Sequence, residues 1–122
     1  LLDSSEEGTL PGLGWISGSV RAFNFSYLDS PSRTLAVPHM GWNAVTATQK
    51  SRLTESFDEK SKFYFVHSYY ADVTNSADIL VQSQYGHAFT SGVQKENIYG
   101  FQFHPEKSHK HGMNVMKSFA EI

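Results

Sequence analysis

The clearest pattern of hydrophobic and polar positions is an alternation near the C-terminal end of the chain. Tyr99, Phe101 and Phe103 occupy every second position, which is the spacing of side chains along one face of a β-strand. This pattern predicts a buried strand over Asn97–Phe103. Pro105 follows closely, and because proline has no amide hydrogen, the hydrogen-bond ladder of the strand must stop there.

The middle of the chain carries most of the other strand patterns. The segment Lys62–Tyr70 is aromatic and β-branched almost throughout and gives the strongest strand prediction. Two further strands are predicted at Ile79–Val81 and Ala88–Val93, with Gly86 in the turn between them. Shorter alternating or apolar runs predict strands at Ser19–Phe23, Thr34–Val37 and Ala44–Thr48.

Helical patterns are few. The segment Leu1–Gly8 is interpreted as the tail of a helix that breaks into a polar loop at its glycine. A short polar helix is predicted within Lys50–Asp58. A longer helix is predicted after Glu106, with Ser108 as its N-cap. Its apolar stripe would consist of Met113, Met116, Phe119 and Ala120. Many strands and one terminal helix predict a mixed sheet that is part of an α/β domain.

Composition narrows the functional classes. The 122 residues suffice for one small domain with one core, and 39% hydrophobic and 18% charged residues are typical of a globular protein. A net charge of −2 without a basic run gives no support to nucleic-acid binding. No apolar run approaches the roughly 20 residues of a membrane span. Since Leu1 is not a methionine and nothing near it resembles a signal peptide, we expect a piece of a longer cytoplasmic protein.

The most suggestive chemistry lies just after the last predicted strand. If the chain stays extended through the proline, His104 and Glu106 point to the same side. The carboxylate can then accept the proton of one imidazole nitrogen, which leaves the other nitrogen free as a base. This arrangement is two-thirds of a nucleophile–base–orienter relay. The chain contains no cysteine, so a thiol nucleophile would have to come from elsewhere.

Two other interpretations of these residues stay open. In one, His104 caps a strand end and Glu106 is a solvated loop residue. In the other, a metal such as Zn²⁺ is bound by four nearby side chains: His104, Glu106, His109 and His111. The proline and the helix start make it difficult for four ligands from eight residues to converge, so the relay is preferred and no metal or cofactor is expected.

Three separate segments resemble a known family. The segment Gly100–Ser108 resembles the closing motif of class I glutamine amidotransferases. The segments Pro38–Asn43 and Tyr64–Tyr70 resemble, more narrowly, the glutaminase subunits of imidazole glycerol phosphate synthases, a family of histidine biosynthesis. The segment Leu1–Gly8 is similar to the residues that follow the nucleophile elbow of that family.

The resemblance implies a fold and a position within it. We expect a class I glutamine amidotransferase-like α/β domain, flavodoxin-like and three-layered. Residues 1–122 would be the C-terminal part of a single such domain, an N-terminally truncated and strand-rich portion with a C-terminal helix. The cysteine nucleophile and the oxyanion hole of the family would lie upstream, so the chain alone is expected to be inactive.

The resemblance also implies roles for individual residues in glutamine hydrolysis. His104 would be the base that activates the thiol and later the water, and Glu106 would orient it. Glu7 would help to hold the amino and carboxylate ends of glutamine. The backbone around three further residues would do the same: His67, Ser68 and Tyr69.

A partner follows from the same resemblance. Ammonia would pass to a cyclase subunit, a (β/α)8 barrel, in a heterodimer that makes imidazole glycerol phosphate. Trp42 would anchor this interface, as tryptophans often do, and Lys107 would donate a charge pair. The remaining interface candidates are Pro38, Asn43 and Tyr64. Alternatives are a glutaminase subunit of another amidotransferase and a non-catalytic docking module.

Overall fold

The computed structural model of the chain describes residues 1–26 and 35–122. Within these two ranges there are nine β-strands, one α-helix and short 3₁₀ helices. The strands are β1 Ser4–Ser5, β2 Gly18–Ala22, β3 His39–Ala44, β4 Thr46–Ala47, β5 Lys62–His67, β6 Tyr69–Val73, β7 Ile79–Tyr85, β8 His87–Lys95 and β9 Ile98–Phe101. The 3₁₀ helices are Arg52–Thr54, Ser76–Asp78 and Pro105–Lys107, and the α-helix, α1, is His109–Ala120.

Seven of the strands form one mixed sheet. Its order is β1-β2-β6-β8-β7-β4, and β9 also pairs with β8. The pairing of β1 with β2 is parallel, and the other pairings are antiparallel. The hairpin between β7 and β8 turns at Gly86, whose φ of 76° is readily adopted only by glycine. The predicted mixed sheet and the predicted turn are therefore confirmed.

The strongest predicted strand is divided between two sheets. Strand β5 pairs with β3 in a separate antiparallel hairpin, whereas β6 belongs to the large sheet. The division falls at Ser68, whose carbonyl accepts a hydrogen bond from the Phe23 N–H. The imidazole of His67 contacts the Tyr69 carbonyl and so bridges the kink. Around Ser68 the hydrogen bonds thus come from the Phe23 N–H and the His67 imidazole instead of a paired strand. The junction of the two sheets lies at this kink.

Aromatic side chains fill the core between the two sheets. Phe63 and Phe65 of β5 are fully buried, and Phe63 stacks on Phe103 at 4.1 Å between ring centroids. Such aromatic pairs add to the stabilisation that comes from the buried apolar area. The predicted strand at Asn97–Phe103 is confirmed over β9, although its four residues are half-buried and not buried as predicted. The chain after β9 brings Phe103 into the core. The core cluster comprises Phe23, Val45, Phe63, Phe65, Leu80, Val81, Phe89, Phe103 and Val115.

Helix α1 packs closely against the turn that precedes it. A Cβ atom on Gly112 would lie 1.7 Å from the Pro105 carbonyl oxygen, so only glycine fits this contact. The buried positions of the helix are Gly112 and Val115. The predicted apolar stripe is wrong as a core face, because a small side chain lets the helix approach on another side. Its members are exposed: Met113, Met116, Phe119 and Ala120.

Two predicted helices are also wrong. Instead of a helical tail, the first residues form β1, because backbone pairing with β2 extends to the Asp3 N–H, which donates to the Gly18 carbonyl. The polar helix predicted within Lys50–Asp58 is only the 3₁₀ turn Arg52–Thr54, which Ser51 caps. In the described ranges, no helix is long and apolar enough to cross a membrane.

The outer bounds of the short strands differ from the predictions. Residues 35–37 of the predicted strand Thr34–Val37 lie outside the observed strands, and Thr34 itself lies outside the described residues. Within the predicted strand Ala44–Thr48, Ala44 is the last residue of β3 and Thr46–Ala47 form β4. The Val37–Pro38 peptide bond is cis. Strand β3 begins at His39, directly after this proline.

Candidate active site

The predicted pair of His104 and Glu106 is formed. The imidazole Nδ1 of His104 lies 2.9 Å from Oε1 of Glu106. Because a carboxylate only accepts hydrogen bonds, Nδ1 carries the proton and Nε2 keeps a free lone pair. The side chains are 36% and 56% exposed, so a reactant can reach the imidazole.

The pair forms along a different path from the predicted one. The chain does not stay extended: Pro105–Lys107 is a 3₁₀ turn with the proline at its start, a position that suits proline because it needs no N–H donor there. The turn brings the Glu106 carboxylate back towards the imidazole. The hydrogen bond therefore depends on the turn after the strand.

The backbone of His104 is held from two sides. Its N–H donates to the Tyr64 carbonyl at 3.0 Å, an isolated bridge to β5. Its carbonyl accepts a hydrogen bond from the Ser108 hydroxyl at 2.6 Å. That hydroxyl, which is fully buried, also accepts from the Tyr64 N–H at 3.0 Å. Ser108 stands at the predicted N-cap, but its hydroxyl fixes the histidine segment and makes no cap hydrogen bond.

The electrostatics favour an ionised carboxylate beside the imidazole. The pKa of Glu106 is lowered, first by its own backbone N–H and then by the His104 imidazole. Hydrogen bonds to the charged form stabilise it. Glu106 is thus a carboxylate at neutral pH and accepts the hydrogen bond of the imidazole.

The predicted glutamine-binding residues lie at the junction of the sheets, apart from Glu7. The His67–Tyr69 kink ends next to β2, where Tyr69 is opposite Ala22. The carboxylate that reaches this place is that of Glu6, which accepts from the Ala22 N–H at 2.8 Å. Glu7 is exposed, and its N–H donates to the Ser5 hydroxyl. Of the two glutamates that follow β1, it is therefore Glu6 whose side chain approaches the kink.

Three of the predicted interface residues form one surface, which we call the aromatic face. Trp42 and Tyr64 are directly opposite on β3 and β5, with ring centroids 6.1 Å apart. The Lys107 Nζ lies 5.9 Å from the centre of the Tyr64 ring, within the range of a cation–π contact. Trp42 is 48% exposed. The face therefore offers an accessible indole close to an ammonium group that lies over the neighbouring tyrosine ring.

A fourth member of the aromatic face was missed by the sequence analysis. The His109 imidazole stacks on Trp42 at 5.4 Å and 8° between planes. Its φ of 47° is unusual for a residue other than glycine. From the sequence, His109 was considered only as a metal ligand, and no sequence spacing signals its contact with a strand 67 residues earlier.

The other two interface candidates lie elsewhere. Asn43 is next to Trp42 on β3, so its side chain points to the opposite face of the strand. There its amide contacts His39 and the Gln84 carbonyl. Pro38 is exposed and precedes the first residue of β3. The structure thus brings together Trp42, Tyr64 and Lys107 but separates them from Asn43.

The four candidate metal ligands do not converge. His104 is paired with Glu106, and His109 is stacked on Trp42. The His111 ring lies 6.1 Å from Phe63. Among the residues whose structure is described, no group of three or more histidine, aspartate or glutamate side chains is placed to hold a metal ion. The metal-site alternative is therefore not supported.

Comparison with known families decides among the remaining interpretations. The family model "Glutamine amidotransferase class-I" matches residues 20–121. The chain belongs to this family. The resemblance found in the closing motif is confirmed, as is the α/β fold class with a mixed sheet and a C-terminal helix.

Curated relatives of the amidotransferase family are similar to the chain over nearly all its length. "Imidazole glycerol phosphate synthase subunit HisH" of Leptospira borgpetersenii is 44% identical over 122 residues, which are 100% of this chain and 58% of that protein. "Imidazole glycerol phosphate synthase subunit HisH 2" of Methanococcus maripaludis is 48% identical over 119 residues, 98% of this chain and 56% of that protein. The protein of the same name in Pseudomonas aeruginosa is 49% identical, with coverages of 97% and 55%. The chain thus spans little more than half the length of these relatives.

Proposed function

We propose that residues 1–122 are the C-terminal part of a single glutamine amidotransferase domain in the glutaminase subunit of an imidazole glycerol phosphate synthase. The subunit hydrolyses glutamine and passes ammonia to a cyclase in histidine biosynthesis, in the cytoplasm. The observation that carries the proposal is the hydrogen bond between His104 and Glu106, which uses Nδ1 of an imidazole whose side chain is 36% exposed. Support for assignment to this synthase comes from the similarity of the chain to the HisH subunits of three organisms.

In this proposal His104 is the general base and acid. Its Nε2 takes the proton of a cysteine thiol supplied by the rest of the subunit, and the thiolate attacks the side-chain amide carbon of glutamine. The imidazolium then protonates the leaving nitrogen, so the C–N bond breaks and ammonia leaves a glutamyl thioester. Water, deprotonated by the same nitrogen, attacks the thioester, and glutamate and the thiol are released.

Glu106 acts on the imidazole and does not touch the substrate. It keeps the proton on Nδ1 and stabilises the positive charge that forms on the ring. The buried Ser108 hydroxyl holds the base in place, because it donates to the His104 carbonyl and accepts from the Tyr64 N–H. No cofactor takes part in this reaction.

Glutamine is proposed to bind at the kink between the sheets. The backbone of His67, Ser68 and Tyr69 would hold one end of the substrate, and Glu7 would attract its ammonium group. Support for the kink is its position at the end of β5, because Tyr64 of the same strand accepts the hydrogen bond of the His104 N–H. Glu6, which reaches the neighbouring Ala22 N–H, would hold the loop that carries Glu7.

The partner is proposed to be a cyclase with a (β/α)8 barrel, in a heterodimer. The aromatic face fits such an interface, because exposed tryptophan and tyrosine are enriched at interface centres. Trp42 would be the anchor, Lys107 would pair with a carboxylate of the barrel, and Pro38 would contribute the edge. Asn43, whose side chain points to the other face of β3, would contribute only through its backbone. The face continues directly into the turn that holds Glu106, so ammonia would form near the interface.

The experiment requires the complete subunit. It is purified with the cyclase, and glutamate release and the transfer of amide-labelled nitrogen into imidazole glycerol phosphate are measured. We expect both activities in the complete subunit and neither in residues 1–122 alone, because the chain has no cysteine. Glutamate release without transfer to this cyclase would indicate another amidotransferase. No glutamate release under any condition would contradict the proposal and favour a docking module.

A further inference from the structure

Two histidines outside the catalytic pair are joined across the β3–β5 hairpin. His39 and His67 are directly opposite in its register, and His39 Nδ1 lies 2.9 Å from His67 Nε2. The residues are 4% and 8% exposed. The reaction proposed above uses neither imidazole, so the pair requires an explanation of its own.

The neighbours of the pair fix the direction of every hydrogen bond. The Tyr69 carbonyl only accepts, so His67 Nδ1, at 2.7 Å, must donate to it. His67 Nε2 is then an acceptor, and His39 Nδ1 donates to it. His39 Nε2 in turn accepts from the Asn43 amide at 3.3 Å.

The orientation of the Asn43 amide agrees with this direction. Its oxygen accepts from the Ala44 N–H at 2.8 Å, which turns the NH₂ group towards the imidazole. The second hydrogen of that group donates to the Gln84 carbonyl, also at 2.8 Å. Each donor therefore meets an acceptor, and the chain of hydrogen bonds runs one way, from Asn43 to the Tyr69 carbonyl.

Aromatic rings enclose this chain and keep it uncharged. The His39 ring stacks on Tyr85 at 4.0 Å and on Phe65 at 4.9 Å. Burial first, and His67 second, lower the pKa of His39 to about 4. Burial also lowers the pKa of His67. A proton added to either ring would remove an acceptor that the chain needs.

We propose that His39 and His67 are positioning residues, whose two neutral imidazoles form a one-way relay that holds the Tyr69 carbonyl and the backbone kink that binds glutamine. That the kink binds glutamine rests on the proposed function, whereas the relay itself rests on the observed hydrogen bonds. The relay begins at Asn43, on the segment after Pro38 that we assign to the partner interface. It therefore connects that segment to the backbone of the substrate site.

The first test compares variants of His39 in the complete subunit with its partner. An asparagine places an amide donor near the Nδ1 position, whereas glutamine and leucine leave His67 without its donor. We expect His39→Leu and His39→Gln to raise the KM for glutamine about tenfold, the typical effect of one lost hydrogen bond to a buried group, with kcat within threefold. His39→Asn should restore most of the wild-type KM.

A matched control separates positioning from general stability. His87 lies in the same aromatic cluster, with its Nδ1 2.9 Å from the Ala88 carbonyl, outside the relay. His87→Leu should leave the KM unchanged. A wild-type KM in His39→Leu would overturn the proposal. So would a KM that follows the melting temperature across all four variants, because that pattern indicates only a structural role.

The second test needs no substitution and no activity. Nitrogen-15 NMR of the imidazoles in the wild-type complete subunit at pH 7 reports which ring nitrogen carries the proton. We expect His39 and His67 to be neutral and protonated on Nδ1. A proton on Nε2 of either ring, or a charged ring, would overturn the relay. Absence of glutaminase activity in the wild type would instead refute the proposed function. The NMR protonation states of His39 and His67 would still test the relay.

Discussion

Two histidine pairs in this chain differ in what their surroundings do to the imidazole. His104 faces an ionised carboxylate and is about one-third exposed, at 36% of its side chain. His39 faces a second imidazole and aromatic rings and is 4% exposed. The first pair thus offers an exposed imidazole beside a charged acceptor, whereas burial lowers the pKa of His39 and keeps the rings of the second pair neutral. The same side chain is thus prepared for proton transfer in one place and for fixed positioning in the other.

The two pairs also differ in how the fold supports them. The His104 pair is made within three residues by a turn, and Ser108 and Gly112 anchor that turn against β5 and α1. The His39 pair is made by strand register, because β3 and β5 place the two rings opposite each other. A local turn leaves its histidine open to a reactant, whereas a buried hairpin closes around it. The contrast predicts which substitutions affect rate and which affect stability.

The largest expected effect is on rate, at the exposed pair. His104→Ala in the complete subunit should lower kcat for glutamine hydrolysis by about 10⁴-fold, because the thiol and the water lose their base. The unfolding midpoint should change little, since the side chain is partly solvated. A kcat within tenfold of wild type in a steady-state assay would show that another group is the base.

The buried pair should control the response of stability to pH. The pKa of His39 is lowered from 6.5 to about 4 in the folded chain, so the unfolded state binds more protons between these values. Stability is then fully present above about pH 6.5 and decreases as the pH falls towards 4, by on the order of 3 kcal/mol. Urea unfolding of the complete subunit at several pH values measures this. A His39→Phe variant should show a flatter profile, and an equally steep one would contradict this assignment.

The anchor of the exposed pair should be sensitive to a single methyl group. Gly112→Ala would normally stabilise a helix by about 1 kcal/mol, but its Cβ would overlap the Pro105 carbonyl oxygen. We expect a net loss of about 1–3 kcal/mol in the free energy of unfolding, measured in urea. Gly8→Ala is the control, because nothing lies within 4 Å of its Cβ position. A stabilised Gly112→Ala would show that the helix does not pack this closely.

The smallest expected effect is at the aromatic face. His109→Ala should lower stability by about 0.5–1.5 kcal/mol through the loss of the stack on Trp42. Tryptophan fluorescence, with Trp15→Phe as background, should change as well. His109→Phe should restore both signals, and the neighbouring Lys110→Ala should alter neither. Unchanged fluorescence in His109→Ala would mean that the two rings do not stack in solution.

Local patterns predicted the parts of the fold that local forces determine. The alternation at Tyr99, Phe101 and Phe103 located the last strand, and the short spacing between His104 and Glu106 suggested their contact. The kink at Ser68 was missed, because Phe23, whose N–H donates to the Ser68 carbonyl, is brought there only by the pairing within the large sheet. A continuous aromatic run carries no sign of such a change of sheet.

Long-range contacts account for the other errors. The four exposed apolar residues of α1 looked like a core stripe, but the close approach of Gly112 to Pro105 determines which side is buried. The stack of His109 on Trp42 and the pairing of His39 with His67 join residues far apart in the sequence. No spacing rule within one element reports these contacts, so the relay and the fourth member of the aromatic face became visible only in the structure.

The most direct test of the exposed pair removes the charge of the Glu106 side chain and keeps its size and shape. In the complete subunit with its cyclase, Glu106→Gln keeps an oxygen that can accept from His104 Nδ1 but removes the charge that stabilises the imidazolium. We predict that kcat for glutamine hydrolysis falls about 100-fold, while the KM stays within about twofold. An unchanged kcat would contradict the claim that this carboxylate and His104 act together as the base.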